Sequence, residues 1–287
     1  MGARHAGDIA HLCSIAQPNI GVVLKVGTAH LGEFGSIEAI ARTKSELIAS
    51  LSPESTAILG TYDRFTPEMA KLHTGTSITF GEKANCDIRA TDIEVREGRA
   101  HFDLVTPEGR SAVGLRIIGL HQVANALAVA AVTTVLGFSL DQIASGLSTA
   151  ESHAKWRMEI NELPSLVLIN DAYNASPEAM QAALQTLVFF AQERGGESWA
   201  FLGKMHELGE SSSQAHMKIG TLARDLSVDH LVAINAPEYG ASLNFENWEA
   251  ATSLIKEFSA GDVVLVKASR AEGLERLADA LIAGWES

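Results

Sequence analysis

His30 and Lys44 are the residues whose types and spacing most suggest chemistry. His30 sits in Val26-Gly-Thr-Ala-His-Leu-Gly-Glu-Phe-Gly-Ser36, a small-residue turn directly after the hydrophobic run Ile20-Gly-Val-Val-Leu-Lys-Val26. Lys44 follows in Thr43-Lys-Ser-Glu46, on the helix that Ser36 is placed to cap. An imidazole at the end of a buried strand can ligate a metal directly or through water, and with the lysine it could flank a metal-bound phosphate. Taken alone, each residue reads first as structure: a packing or capping histidine, and a lysine facing water.

A second cluster is Gly119-Leu-His121-Gln-Val-Ala-Asn125-Ala-Leu, running into an alanine-rich stretch. His121 and Asn125 are one helical turn apart and share a face. An amide can read a purine edge by donating and accepting at once. Without context the segment reads first as a small-residue packing helix. The third cluster is Arg157 with Asn170-Asp171-Ala-Tyr173-Asn174-Ala-Ser-Pro177. Asp171 at a strand end could accept ribose hydroxyls, Tyr173 could cover a base, and Arg157 could grip phosphate oxygens in pairs. The same residues fit a plain helix start, with Ser176 as cap and Pro177 in the first turn. Gly203-Lys-Met-His-Glu207-Leu-Gly-Glu210-Ser211 is a mixed-charge strand-to-helix loop, either a site rim or a capped turn.

These positions need a scaffold, and the pattern supplies one. Helices are expected over 8–16, from Ser36 to about Leu51, 67–71, 119–136 and 140–148, and strands over 20–26, 56–60 and 76–80. Three β-rich runs, 88–94, 99–106 and 111–117, are separated by Glu97-Gly98 and Pro107-Glu-Gly109, which predicts an antiparallel meander. The period resets near Ser152 to Trp156. Beyond it come strands over 158–162, 166–170, 199–202, 230–234 and 263–266. Helices over 177–194, 213–226, 248–258 and 274–283 alternate with them. Strand–helix alternation is the signature of a mostly parallel sheet. The expected fold is therefore α/β, with one domain over 1–153 and a Rossmann-like second over 154–287.

Composition narrows the function classes. The chain has 287 residues, 46% hydrophobic and 20% charged, which suits packed cores and not disorder. A net charge of -13 argues against a broad nucleic-acid footprint. One nucleotide needs only a local cationic pocket and backbone N–H groups. Cys13 and Cys86 give no disulfide framework and no zinc spacing. No signal-like run and no membrane-span candidate occur, so a cytoplasmic protein is expected.

Taken together and in order, the clusters resemble the Mur ligases of peptidoglycan synthesis, in the branch that adds D-alanyl-D-alanine. The segment 26–36 resembles the central-domain strand and loop with its metal-linked histidine. Lys44 matches the lysine that the family carbamylates to hold magnesium. Gly119-x-His121-x-x-x-Asn125-Ala-Leu matches the adenine-side helix, and Arg157 in Trp-Arg-Met-Glu the arginine that reaches the phosphates. Asn170 to Pro177 resembles the family's Asp-Tyr-Asn-Ala-Asn-Pro element, which contacts the nucleotide, and Met205 to Glu210 a motif of this branch. Departures are Ser176 for the usual Asn and Lys204 for a usual Asp. No Gly-Lys-Ser/Thr phosphate loop occurs; Gly203-Lys204-Met205 lacks the hydroxyl and the glycine-rich approach.

The resemblance implies the C-terminal two-thirds of such a ligase: a partial central ATPase domain without its phosphate loop, and the last domain. The implied reaction is ATP-dependent amide formation through an acyl phosphate, with UDP-MurNAc-tripeptide and D-alanyl-D-alanine as substrates and ATP and Mg²⁺ as cofactors. His30 and carbamylated Lys44 would hold metal, with Arg157 as the third catalytic residue. His121, Asn125, Asp171, Tyr173 and Asn174 would contact the nucleotide. The expectation for the isolated chain is no turnover, and either loose order in the first 20 residues or self-association through an open sheet edge. Two other readings are a non-catalytic binding module on the same fold and a folylpolyglutamate-synthase-like ligase.

Overall fold

The computed structural model describes residues 1–28, 31–96, 98–152 and 154–285. The chain divides into two compact units, Met1–Glu151 and Ser152–Ser287. Among the described residues no helix is long and apolar enough to cross a membrane.

In the first unit the helices are α1 (Asp8–Ala16), α2 (Leu31–Phe34), α3 (Ile37–Ala49), α4 (Gln122–Val135) and α5 (Leu140–Thr149). The strands are β1 (Ile20–Val23), β2 (Thr56–Gly60), β3 (Thr76–Gly81), β4 (Ile88–Arg96), β5 (Arg99–Thr106) and β6 (Gly109–Ile118). They form one sheet in sequence order. The pairs β1–β2, β2–β3 and β3–β4 are parallel. The pairs β4–β5 and β5–β6 are antiparallel, which is the expected meander. One face packs Ile58, Phe80 and Leu104 against Val123, Leu127 and Ala131 of α4 and Ile143 of α5. The other packs Val23, Ala57 and Leu59 against Ile40 and Ile48 of α3.

Three local differences from the sequence expectation have physical causes. β1 stops at Val23, three residues early: the Leu24 carbonyl crosses Gly60 so closely that a Cβ there would lie 2.0 Å from the oxygen. α4 starts at Gln122 because the chain first turns through Gly119 at φ 107°. The N-terminal segment is not loose. α1 is anchored to α3, where the Glu46 carboxylate accepts from Gly7 N at 2.7 Å and Ala10 N at 3.1 Å.

The second unit holds β7 (Glu159–Leu163), β8 (Leu166–Asp171), β9 (Ser198–Leu202), β10 (His230–Ile234), β11 (Leu243–Phe245) and β12 (Val263–Lys267). Its helices are α6 (Pro177–Arg194), α7 (Ser212–Asp225), α8 (Trp248–Ala251) and α9 (Glu275–Trp285). The sheet order is β11-β10-β9-β12-β8-β7, parallel except for the β7–β8 hairpin. Alternate residues of the buried strands enter opposite cores. Val167, Ile169, Val263 and Leu265 meet α6 and α7, while Leu166, Leu168, Val264 and Val266 meet α8 and α9. The single helix expected over 248–258 is instead α8 followed by a 3₁₀ stretch, Thr252–Glu257. There Thr252 and Ser253 hydroxyls bond back to the Glu249 and Ala250 carbonyls and compete with helical pairing.

Candidate functional site

Ligands of parallel sheets gather beyond the carboxyl ends of the strands. In the first unit the segments that leave β1 and β2 meet there. Asp63 joins them: its Oδ2 accepts from Val26 N at 2.8 Å and Thr66 Oγ1 at 2.6 Å, and its Oδ1 from Phe65 N at 2.7 Å and Thr66 N at 2.8 Å. Burial alone would push its carboxyl up, but these hydrogen bonds outweigh it and hold the carboxyl below its ordinary value. Lys44 points into the same rim, and its Nζ donates to the Lys25 carbonyl at 2.9 Å. Ser36 caps α3 by accepting from Ala39 N at 3.1 Å, which fixes the helix that carries Lys44. His30 lies outside the described residues.

His121 and Asn125 are linked through Gln122. Gln122 Nε2 lies 3.1 Å from His121 Nε2, and its Oε1 accepts from Asn125 Nδ2 at 2.8 Å. The His121 ring folds back over Gly119, where a Cβ would come within 2.4 Å of it. Asn125 and Gln122 edge a cavity of about 350 Å³ between α4, α5 and β6, whose other walls include Leu115, Ile117, Ala126 and Val129. Two amides at the edge of an apolar cavity can hold a flat heterocycle by its edge while the walls cover its faces.

In the second unit the rim is built around a lysine that the sequence reading passed over. Lys267 ends β12 and is 2% exposed. Its ammonium donates to Asp171 Oδ2 at 2.5 Å and to the Asn174 carbonyl at 2.9 Å. Asp171 Oδ1 accepts from Met158 N at 3.0 Å. Asp171 therefore braces the neighbouring loop, and its further lone pairs remain available as acceptors. That loop is strained on both sides of Arg157: Trp156 has φ 59° and Met158 φ 50°, the left-handed region that bulky residues avoid. Glu159 Oε2 accepts from Trp156 N at 2.9 Å, and Tyr173 N donates to the Trp156 carbonyl at 2.9 Å. The result presents the exposed Arg157 guanidinium over the Tyr173 ring, 4.0 Å from its centroid. The structure thus brings Arg157, Asp171, Tyr173 and Asn174 into one cluster. A lysine closing an otherwise apolar strand run, Val263-Val-Leu-Val-Lys267, was the signal that could have added Lys267.

The family model for the Mur ligase middle domain matches residues 1–133, and that for the Mur ligase glutamate ligase domain matches residues 156–270. The chain belongs to the Mur ligase family. It is 40% identical to the UDP-N-acetylmuramoyl-tripeptide–D-alanyl-D-alanine ligase of Mycobacterium tuberculosis, over 99% of this chain and 62% of that one. Against the Escherichia coli ligase of the same name the identity is 30%, over 98% and 64%. Among solved structures, MurF from Acinetobacter baumannii superposes with a TM-score of 0.90 at 35% identity, over 99% of this chain and 64% of that one. MurF from Thermotoga maritima in complex with ADP gives 0.87 at 30%, over 100% and 66%. The Mur ligase resemblance is thus to MurF-type members, and the chain spans about 62% of the length of its mycobacterial relatives.

No group of three or more His, Cys, Asp or Glu side chains that could hold a metal converges among the described residues. Of the two ligands expected from the Mur ligase pattern, only Lys44 is described. It meets a carbonyl through its nitrogen, and only as a carbamate would it offer the oxygens magnesium prefers. The described donors do not by themselves make a metal site.

Proposed function

We propose that this chain is the C-terminal part of an ATP-dependent ligase that joins D-alanyl-D-alanine to a UDP-MurNAc-tripeptide. The observation that carries the reading is the MurF likeness along 99% of the chain, at 35% identity and a TM-score of 0.90. In this reaction a tripeptide carboxylate oxygen takes the terminal phosphoryl group of ATP and ADP leaves. The dipeptide amine then attacks the acyl carbon, loses a proton, and phosphate departs. Family membership implies ATP and Mg²⁺, the ion serving to neutralise phosphate charge.

The residues divide that work. Gln122 and Asn125 hold the purine edge at the mouth of the α4–α5 cavity, with His121 fixing Gln122. Arg157, oriented by Tyr173, donates to phosphate oxygens as charge builds on them. Asp171, Lys267 and Asn174 keep that arginine loop in its strained form, and Asp171 and Asn174 face the nucleotide from beside Tyr173. Lys44, once carbamylated, and His30 would hold the Mg²⁺, which would neutralise phosphate charge. The reaction belongs in the cytoplasm, where its nucleotide substrates are made. Copies of the 287-residue chain associate through the β1 edge; a monomer by light scattering would remove that part of the proposal.

The nucleotide assignment is tested by titrating ¹⁵N-labelled protein with ADP. The expected result is saturable shifts at the Gln122 and Asn125 amides near millimolar affinity, worth about 4 kcal/mol, and roughly tenfold weaker binding in Asn125→Ala. Shifts that spare α4 altogether would overturn it. A binding module on the same fold is the competing reading; it predicts no nucleotide response and a stable protein complex.

A further inference from the structure

Arg157 stands between two residues of left-handed backbone, Trp156 at φ 59° and Met158 at φ 50°. A Cβ crowds the backbone there, so such a turn persists only where its surroundings over-determine it. On the Met158 side the hold is a chain of two contacts. The Met158 N–H donates to Asp171, and Lys267 at the end of β12 fixes Asp171. On the other side Trp156 is tied at both backbone ends, its N–H to Glu159 Oε2 and its carbonyl to Tyr173 N. Those bonds leave the half-buried indole ring to be held by something else.

Arg270 holds it. The residue opens the 3₁₀ turn Arg270–Glu272 that follows β12, and its guanidinium lies over the Trp156 ring, 4.2 Å from the centroid. Its Nη1 also pairs with Glu275 Oε1 at 2.6 Å. A planar guanidinium can do both at once, offering its edge to a carboxylate and its face to a ring. Glu275 sits in the first turn of α9, where free N–H groups favour negative charge, and its side chain is 13% exposed. Its other oxygen, Oε2, is buried with no hydrogen-bond partner among the described residues, so the carboxylate depends on Arg270. The turn that carries Arg270 is itself anchored: Ser269 N donates to the Lys204 carbonyl at 3.0 Å, and Ser269 Oγ accepts from His206 N at 2.9 Å. Burial first, and then the charges of Glu159 and Glu275, lift the Asp279 carboxyl above its ordinary value, while Lys155 opposes them. Three carboxylates thus face one another beside the turn, and one of them, Glu159, is the acceptor for Trp156 N. Removing Arg270 would leave their repulsion acting on the group that holds Trp156.

We propose that Arg270 is a positioning residue: stacked on Trp156 and braced by Glu275, it holds the strained turn that presents Arg157 to phosphate. The proposal rests on the ligase reading above, since Arg157 is there the group that grips phosphate oxygens. The exit of β12 then grips the turn on both sides of Arg157, through Asp171 on the Met158 side and through the indole on the Trp156 side. Arg157 is left over the Tyr173 ring, with no carboxylate partner among the described residues, as a group that must meet an incoming anion should be.

The test follows the side-chain Nε–H signals of Arg157 and Arg270 in the ¹⁵N-labelled 287-residue protein, with and without ADP, in wild type, Arg270→Gln, Trp156→Gly and the double variant. Glycine takes a φ of 59° without steric cost, so Trp156→Gly removes the ring and spares the turn. In wild type both arginines should be displaced upfield by the rings beneath them. In Arg270→Gln the Arg157 displacement should fall by about half or more, and ADP should act on that signal with roughly fivefold weaker affinity. With glycine at position 156, Arg270→Gln should add nothing to either reading, the non-additivity of residues that act through one contact. A wild-type Arg157 signal that answers to ADP, but keeps its displacement and its affinity in Arg270→Gln, would overturn this proposal alone. So would an equal loss with and without the Trp156 ring, which is what a merely structural arginine would give. An Arg157 signal indifferent to ADP in wild type would reject the phosphate role of Arg157 in the ligase reading, and this proposal with it. Should Arg270→Gln not fold, Arg270→Lys, which keeps the charge and loses the planar stack, carries the same comparison with the same expected loss.

Discussion

Asp63 ties three backbone N–H groups into the rim of the first unit, and Lys267 braces the rim of the second through the Asp171 carboxylate and the Asn174 carbonyl. Replacing Asp63 by alanine strands Val26 N, Phe65 N and Thr66 N, and the expected loss is about 1–3 kcal/mol by urea denaturation at pH 7. The pH dependence has a definite sign. A carboxyl held below its unfolded value contributes in full above the unfolded pKa of about 3.9 and loses that contribution as pH falls through the folded pKa. The wild-type advantage over Asp63→Ala should therefore be constant near neutrality and shrink below about pH 4. A gap that widened in acid would contradict the assignment. For Lys267, removal of one partner of a buried pair is costly: Lys267→Met should lose about 3–5 kcal/mol, because Asp171 is left charged and uncompensated. Adding Asp171→Asn to Lys267→Met should recover part of it, and strict additivity in that double-mutant cycle would show the two do not interact.

At the scale of elements, close backbone contacts decide what the sequence periodicity cannot. α7 runs so near the turn after β10 that a Cβ on Gly220 would lie 1.8 Å from the Tyr239 carbonyl oxygen. Gly220→Ala should cost about 1–3 kcal/mol through overpacking. Because Tyr239 also donates to the Gly203 carbonyl, the amide signals of 203–206 should move as well. An unchanged spectrum there would mean the β9 loop is not braced from this side. Most elements were legible because their cause is local. The apolar runs of β2, β8 and β12 and the Ser176-Pro177 start of α6 announce themselves in residue types. The early end of β1, the split of 248–258 and the three-residue strand β11 were not legible. The first depends on a strand passing over Gly60, the second on hydroxyls competing for carbonyls, and the third on pairing with β10. The spatial clustering of the candidate residues was legible to the same degree. Arg157, Tyr173 and Asn174 declare themselves as types, whereas the Lys267–Asp171 pair exists only because β8 and β12, distant in sequence, are neighbours in the sheet.

For the whole molecule, the proposed function assigns the two units different parts of one reaction. The first offers an amide-edged cavity and the Lys44 rim, and the second a strained, aromatic-stacked arginine and a hydrogen-bonded β9 loop. The chain spans 62% of the mycobacterial relative it matches, and its 287 residues contain no Gly-Lys-Ser/Thr phosphate loop. The most direct test of the account is therefore phosphate release from ATP, assayed with the 287-residue protein and with a folded chimera bearing the part of the Mycobacterium tuberculosis relative that it does not match. The account predicts no release from the 287-residue protein alone. It predicts release from the chimera only when UDP-MurNAc-tripeptide and D-alanyl-D-alanine are both present, reduced about a hundredfold or more by Arg157→Ala. Turnover by the 287-residue protein itself, or release by the chimera that is indifferent to the dipeptide or to Arg157, would contradict it.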